Sequence, residues 1–331
     1  MDESVYPLFP VPACVVIGHR RATARPMPMT VTTYSGRLPY RDAPEDLADA
    51  QLAVAIGSPA PDVAQSSGGS VYRTRFRQGA ILVPRMICLV DRKMSGRLGA
   101  DPSAPLVVSR RSRLERMPWK SADSIENRVE LEFLRNAFLG ESVLPYRLLR
   151  TFEAVIPITN EGVMLDAAMA ADRGLSDLHG WLTKAERTWS THNRSIRSLS
   201  QQLDYIGQLS AQFPIAPLRV AYAKAGIKPA ACLLRDPRGV VDHKLYWMAP
   251  ASESEGYYLV AILNSETTRS LAARFQSRGI FGARDFDKVM FNLPIPRFNP
   301  ELRLHTELEK LARQAEALAA GMLLPERAGF Q

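Results

Sequence analysis

The chain has few cysteines and no long apolar run, and each scarcity excludes a class of protein. Cys14, Cys88 and Cys232 are far apart and odd in number, so they form neither a disulfide framework nor a Cys-x-x-Cys metal site. No apolar stretch reaches the ~18 residues that span a bilayer. The first residues, Met-Asp-Glu-Ser, carry acids where a secretory signal needs bases. These absences predict a cytoplasmic protein without a membrane partner.

Lysine is also scarce, and arginine supplies most of the positive charge. Of 42 basic residues 34 are arginine and eight are lysine, against 34 acidic residues, which gives a net charge of +8. A guanidinium can bind two phosphate oxygens at once, so this bias is compatible with nucleic-acid contacts. A GC-rich coding sequence produces the same bias. The arginine excess therefore permits nucleic-acid binding without proving it.

The catalytic motifs of common enzyme classes are absent. The sequence contains no GxxxxGK[ST] or GxGxxG phosphate loop, no HExxH and no GxSxG. Glu130 and Glu132 lie on different faces of a predicted helix and support a metal-dependent nuclease only weakly. The histidines follow no ligand spacing: His19, His179, His192, His243 and His305. We therefore predict no catalytic residue, no metal ligand and no cofactor in this chain.

One near match concerns amino-group DNA methyltransferases. Asn299-Pro300 equals the first half of their Asn-Pro-Pro-Tyr motif, but Glu301 and Leu302 replace the second proline and the aromatic ring that hold a flipped base. Proline is favoured in the first turn of a helix. We interpret this segment as a helix-entry turn that has no catalytic role.

Hydrophobic spacing predicts both strands and helices. Strands are predicted at 13–17, 71–76, 80–90, 105–109 and 154–158. Helices are predicted at 44–55, 125–138, 175–189, 196–213, 266–275 and 304–322. The last helix carries a heptad-like seam, which must pack on a partner helix or on its own domain. The seam consists of Leu304, Leu308, Leu311, Ala315, Leu318 and Met322.

Two groups of basic residues are the predicted DNA-phosphate contacts. The first group shares one face of the strand predicted at 71–76, and the second follows the strand at 105–109. The two groups are Arg73, Arg75 and Arg77, and Arg110, Arg111, Arg113 and Lys120. Gln78-Gly79 is predicted to form a loop tip, where the glutamine amide can pair with adenine. A solvated protein surface carries similar charge runs, so alternation alone does not separate the two interpretations.

Ten stretches, in this order, resemble the C-terminal target recognition half of large bacterial N6-adenine DNA methyltransferases of the fused restriction–modification or phage-defence type. The stretches are LFPVPACVVIG, YSGRLPYRDAP, YRTRFRQGAILVPR, SRRSRLERMPWK, LGESVLPYRLL, LHGWLTKAERTW, LSAQFPIAPLRVAYAKAG, VVDHKLYWMAP, YYLVAILNS and LPIPRFNPELRLHTELEKLA. They cover nearly the whole chain. RFRQGAILVPR and the ILNS…LPIPRFNPE…LH combination are the most specific. The latter also resembles target recognition domains of type I specificity subunits.

The resemblance implies an α+β fold in which a mixed sheet and amphipathic helices are followed by a long C-terminal helix. It implies packing of the 304–322 seam on the 196–213 helix or on a partner. It divides the chain into a remnant strand and linker at 1–60, a mixed β domain at 61–170, and a helix-rich target recognition region at 171–331. The S-adenosylmethionine fold and the catalytic tetrapeptide of these enzymes are missing. On the resemblance, the chain would be a fragment, a split subunit or an artificially shortened protein.

The function that the resemblance implies is sequence-specific recognition of double-stranded DNA on behalf of an N6-adenine DNA methyltransferase. S-adenosylmethionine would then bind to a catalytic domain or subunit outside this chain, which alone should transfer no methyl group. Two alternatives remain open. One is a protein-interaction or scaffold subunit of a defence complex, and the other is a nuclease whose site is dispersed along the sequence.

Overall fold

The computed structural model describes residues 5–6, 31–57, 70–94, 101–112, 115–226, 228–273, 276, 278–279, 282–283 and 286–323. Helices in these ranges are α1 (Glu45–Gln51), α2 (Arg85–Cys88), α3 (Ala167–Asp172), α4 (Ser176–His192), α5 (Leu199–Leu203), α6 (Glu253–Asn264), α7 (Glu266–Ala272) and α8 (Arg303–Gly321). The strand predicted at 13–17 lies outside the described residues.

The strands in the same ranges are mostly short. They are β1 (Val5–Tyr6), β2 (Val31–Arg37), β3 (Leu52–Gly57), β4 (Arg77–Gln78), β5 (Leu89–Arg92), β6 (Leu106–Ser109), β7 (Glu126–Arg128), β8 (Leu134–Phe138), β9 (Val143–Leu144), β10 (Arg147–Leu148), β11 (Phe152–Val155), β12 (Arg219–Ala223), β13 (Ala231–Leu234), β14 (Val240–Val241), β15 (Leu245–Met248), β16 (Arg278–Gly279) and β17 (Gly282–Ala283). β1, β2 and β3 form a small sheet, as do β9 with β10 and β16 with β17.

The larger of the two main sheets has six strands in the order β14-β8-β11-β5-β6-β7. Its pairings are antiparallel except that β14 runs parallel to β8. The strand predicted at 105–109 appears here as β6, and the strand predicted at 154–158 overlaps β11 only at residues 154–155. The strand predicted at 80–90 is right only at its end, because Pro84 precedes the short helix α2 and β5 begins at Leu89.

The helix predicted at 125–138 is wrong, because this segment forms β7, a 3-10 turn at Leu131–Phe133 and β8. Ile125, Val129 and Phe133 are all buried in the core beside the six-stranded sheet. They lie four residues apart. Four is close to one helical turn, but it is also an even number, and even spacing places side chains on the same side of an extended chain.

The second main sheet has the order β13-β12-β15-β4 and is antiparallel throughout. Helix α6 contacts β12 and β13. The strand predicted at 71–76 is wrong, because residues 71–75 form a turn in which the Phe76 N–H donates to the Tyr72 carbonyl at 3.1 Å. Tyr72 and Phe76 are buried as a pair one turn apart, whereas Thr74 is exposed.

Residues 240–245 form one connection between the two main sheets, with Val240, Val241 and Asp242 buried and Lys244 exposed. β14 belongs to the six-stranded sheet, and β15, which follows at Leu245, belongs to the other. The Val241 N–H donates to Gln212 Oε1 at 2.7 Å, and the Val241 carbonyl accepts Gln212 Nε2 at 2.9 Å and the Ala80 N–H at 2.8 Å. The His243 N–H donates to the Ala80 carbonyl. These bonds supply partners for backbone groups that burial removes from water.

Helix α4 matches the helix predicted at 175–189. Its apolar face is buried, and Trp181 lies in the core. The Glu130 carboxylate accepts the first N–H groups of the helix, those of Asp177 and Leu178, at 3.0 and 2.7 Å. A carboxylate stabilises a helix N-terminus by this contact and by its charge. Glu130 therefore has a structural role at the start of α4 and does not form a carboxylate pair with Glu132.

The five-turn helix predicted at 196–213 is wrong. Only α5 is α-helical there, and it is followed by short 3-10 turns. The Asp204 carboxylate accepts the N–H groups of Leu209 and Ser210, and Gly207 has a φ of +72°. This side-chain bonding replaces the helical pattern of backbone hydrogen bonds. Ile196, a member of the predicted apolar face, is fully exposed.

The long C-terminal helix α8 is confirmed, but its buried face differs from the predicted seam. It packs against α6 instead of the 196–213 region. His305 and Ala312 are buried, whereas Leu304, Leu311 and Leu318 are 65%, 58% and 73% exposed. The Asn299-Pro300 segment is the expected turn before this helix, since Asn299 Oδ1 accepts the Glu301 N–H at 2.9 Å.

The buried face of α8 combines apolar side chains, among them Ala312 and the partly buried Leu308, with polar ones. Tyr257 on α6 donates its hydroxyl to Glu316 at 2.6 Å, and Ser254 donates to Glu309 at 2.9 Å. Arg235 forms an ion pair with Glu316 at 2.9 Å. A pattern search for apolar residues misses part of such an interface, because Glu309 and Glu316 also occupy contact positions.

The fold is α+β with mixed sheets and a long C-terminal helix, as predicted. The domain boundaries remain a prediction, and two strand pairings cross the expected boundary near residue 170. β14 pairs with β8, and β4 pairs with β15. Among the described residues, no helix has the length and hydropathy needed to cross a bilayer.

Two substitutions on neighbouring positions of α8 distinguish its buried face from the predicted seam. Ala312→Asp places a charge in the contact with α6 and should destabilise the fold by about 2 kcal/mol or more. Leu311→Asp changes an exposed side chain and should alter stability by at most ~0.5 kcal/mol. Thermal denaturation of both variants measures the difference, and equal losses would mean that the leucine seam is buried after all.

Candidate nucleic-acid interface

The predicted phosphate contacts belong to two different parts of the fold. Arg73, Arg75 and Arg77 lie in or just before β4, at the edge of the four-stranded sheet. Arg110 and Arg111 follow β6 of the six-stranded sheet. The described residues therefore place the two groups on separate sheets. Arg113, which belongs to the second group, lies outside the described residues.

Arg75 is engaged inside the protein, which corrects its expected place on a free basic face. Its Nη1 lies 2.7 Å from Glu255 Oε1, and its Nη2 donates to the Ala249 carbonyl at 3.2 Å. Glu255 also accepts the Tyr72 hydroxyl at 3.1 Å. The Arg75 guanidinium lies 5.4 Å from the centre of the Tyr72 ring. Arg75 thus connects the turn before β4 to the start of α6.

The same cluster shifts the ionisation of its members. Burial alone would raise the pKa of Glu255, but hydrogen bonds from Arg75 and from the Ala251 N–H lower this pKa overall. Burial raises the pKa of Tyr72 to about 12. Glu255 is therefore a carboxylate and Tyr72 a neutral phenol at neutral pH, and the charge of Arg75 is compensated within the protein.

Arg110 and Arg111 also have partners inside the chain. Arg110 lies 3.2 Å from Asp91 Oδ1, and its guanidinium stands 4.9 Å from the Phe152 ring centre. Arg111 donates to the Trp119 carbonyl at 3.0 Å and to the carbonyl of Ala122. These bonds fix the loop that carries Trp119. They also occupy N–H donors that would otherwise be free to bind a DNA phosphate.

The Gln78-Gly79 pair is part of a strand edge, so the predicted loop tip is wrong. Gln78 lies in β4, and its Nε2 donates to the His243 carbonyl at 2.9 Å. A Cβ on Gly79 would lie 2.3 Å from the Val241 carbonyl oxygen. Glycine is needed there because two backbones approach closely. Base reading by Gln78 stays a prediction, and it would require this hydrogen bond to break.

Besides Arg111, three of the predicted cations are exposed: Arg73, Arg77 and Lys120. Within the described residues, no side-chain hydrogen bond, ion pair or ring contact is found for any of these three. Arg73 and Arg77 flank Arg75 in sequence and lie beside the short edge strand β4. Exposed guanidinium groups without an acidic partner are suited to bind phosphate oxygens. They are the part of the predicted interface that the geometry leaves available.

The sequence reasoning missed a second basic surface on α4. Lys184, Arg187 and His192 lie at helical spacing on the side of α4 that borders a surface cavity of about 440 Å³. The prediction of this helix rested on its apolar spacing. The available signal was the pair Lys184 and Arg187, because side chains three residues apart lie near one another on a helix surface.

Reactive groups of other kinds are buried or dispersed in the described part of the chain. Cys88 and Cys232 are free and buried, and burial raises the pKa of each thiol to about 12. No group of three or more metal-ligating side chains occurs among the described residues. Asp242 is fully buried and accepts His243 Nδ1 at 2.9 Å when that nitrogen carries the proton. This pair lies in the segment that connects the two main sheets.

No protein-family model matches the chain, and no curated protein matches it either.

Glu255→Gln tests the buried cluster through the pH dependence of stability. The folded-state pKa of Glu255 lies below the ordinary value of 4.5, so its contribution to stability is present above that pH and is lost as the pH falls further. The variant should therefore melt well below the wild type at neutral pH. The gap should narrow under acidic conditions in calorimetry. A gap that stays constant with pH would exclude a charged Glu255 in the folded state.

Proposed function

We propose that this protein recognises specific sequences in double-stranded DNA and directs an N6-adenine DNA methyltransferase to them, in a restriction–modification or phage-defence system of the cytoplasm. The observation that carries the proposal is the exposed pair Arg73 and Arg77, which has no acidic partner among the described residues. A net charge of +8 adds long-range attraction to DNA. The resemblance of ten ordered stretches to methyltransferase target recognition regions supplies the methyltransferase part.

The division of labour follows from the residues. Arg73, Arg77 and Lys120 hold phosphates, which positions the protein without reading sequence. Base-edge contacts then select the site. S-adenosylmethionine and the methyl-transfer chemistry belong to a separate catalytic domain or subunit in this proposal. Arg75, Arg110 and Arg111 support the interface by fixing the adjoining turns.

The salt dependence of duplex binding tests the phosphate contacts. Replacing both Arg73 and Arg77 with alanine should flatten the slope of log K against log salt by about two, since each phosphate contact contributes about −0.9. Fluorescence anisotropy with a labelled duplex measures this slope. Arg303→Ala is the matched control, because Arg303 is 91% exposed on α8 and pairs only with Glu307 in the described residues. An unchanged slope in the double variant would mean that Arg73 and Arg77 belong to an ordinary solvated surface.

Two further measurements address specificity and the nuclease alternative. Selection from a pool of randomised duplexes should enrich one short motif, whereas a scaffold protein should enrich none. Supercoiled plasmid incubated with the protein and Mg²⁺ should remain intact. Nicked or linear product would favour the nuclease alternative over DNA recognition.

A further inference from the structure

The cavity beside α4 lies between this helix and the loop that leads into β7. Its opposite walls are formed by Asp123 and Ser124 on the loop and by Lys184, Arg187 and His192 on the helix. A volume of about 440 Å³ falls within the ~300–1,000 Å³ typical of small-ligand sites. The cavity is thus large enough for a nucleotide.

Close packing of α4 against β7 positions the first cation. A Cβ on Gly180 would lie 2.7 Å from Asn127 Nδ2, so glycine lets the helix approach this strand. One turn later, Lys184 Nζ donates to the Glu126 carbonyl at 2.7 Å and to Asn127 Oδ1 at 2.9 Å. An ammonium group has three N–H donors, and these two bonds leave one for a ligand. The lysine is therefore both held in place and still able to bind.

The second cation, Arg187, is uncompensated in the described part of the chain. Its side chain is exposed, and no hydrogen bond or ion pair to its guanidinium is found there. The neighbouring acid, Glu186, faces α3 and accepts the Ala167 N–H at 3.0 Å. Acidic charge on the helix is thus directed away from the cavity, which leaves Arg187 free to bind an anion.

The cavity also connects to the predicted DNA contacts. The Trp119 ring stacks on Trp189 with 5.5 Å between centres and meets His192 edge-on at 5.8 Å. Trp119 directly precedes the exposed Lys120. The loop fixed by Arg111 therefore carries one predicted phosphate contact to the neighbourhood of the cavity.

We propose that this cavity binds a phosphate group of a nucleotide, either free or within a DNA strand, with Arg187 and Lys184 as its donors. Asp123, the one acid among the described residues that line the cavity, opposes the bound anion and weakens binding. The inference deepens the proposed function and rests on it only for the DNA source of the phosphate. A mononucleotide probe and a duplex probe distinguish the two sources of the phosphate group.

The test uses two charge changes of opposite expected effect. Arg187→Ala should weaken binding roughly two- to fivefold, which is the size of one charge contact at a partly exposed site. Asp123→Asn should tighten binding by a similar factor, because it removes a negative charge that repels the phosphate. Arg303→Ala, which removes one positive charge from α8, should change the affinity for either probe by less than twofold. A structural role for these side chains would not produce opposite signs.

The probes are deoxyadenosine monophosphate and a 12-base-pair duplex, each titrated calorimetrically into the full chain, with melting temperatures confirming that every variant is folded. If the two substitutions change the affinity for a probe in opposite directions, the phosphate site is supported. The probe that responds identifies the source of the phosphate. If the duplex binds but neither substitution alters its affinity or that of the mononucleotide, the cavity proposal fails while DNA recognition stands. If only the mononucleotide binds and responds, the cavity proposal stands and DNA recognition fails. No binding of either probe overturns both.

Discussion

The docking of the two main sheets depends on how the buried strand β14 satisfies its backbone. β14 completes one sheet, and after the partly exposed His243 and the exposed Lys244 the chain enters the other sheet as β15. Gln212 supplies both a donor and an acceptor to Val241, and Ala80 pairs with the same stretch. An unpaired buried amide costs about 1–3 kcal/mol. The glutamine therefore stabilises the arrangement that places β4, with Arg73 and Arg77, beside β15.

The charge distribution separates structural cations from available ones. Arg75 compensates the buried Glu255. Arg235, which follows β13, pairs with Glu316 on α8, and Arg111 binds carbonyl groups. Removing Arg75 would leave the buried Glu255 carboxylate without its cation, which costs stability. Arg73 and Arg187 have no comparable partner in the described residues. A net positive charge by itself does not distinguish these two populations, whereas the contacts do.

Sequence reasoning recovered the elements whose pattern is local and amphipathic. Helix α4 was predictable because its buried residues follow helical spacing over four turns, and the turn at Asn299 because proline constrains it. The structure of the 125–138 segment was not predictable in this way, since a spacing of four residues fits a strand as well as a helix. The 196–213 helix failed because Asp204 provides local hydrogen bonds that periodicity does not reveal.

Long-range partners account for most of the remaining differences at the candidate site. Glu255 is 180 residues from Arg75, and His243 is 165 residues from Gln78, so neither contact can be read from local spacing. The orientation of α8 depends likewise on Tyr257 and Ser254 of α6. The exposure of Arg73 and Arg77 was the part of the interface that alternation did predict, although the segment forms a turn before β4.

The fully buried Arg219 has a consequence for the cooperativity of unfolding. Its Nη2 donates to the carbonyls of Asp236 and Gly239 at 3.1 and 2.7 Å, while burial lowers its pKa to about 10. The guanidinium stands near the rings of Phe138 and Trp247, one from each main sheet. Separating the sheets would hydrate this charge and relieve its desolvation. Because Phe138 and Trp247 both cover the guanidinium, displacing either sheet would expose the same charge, so we expect the two sheets to unfold together.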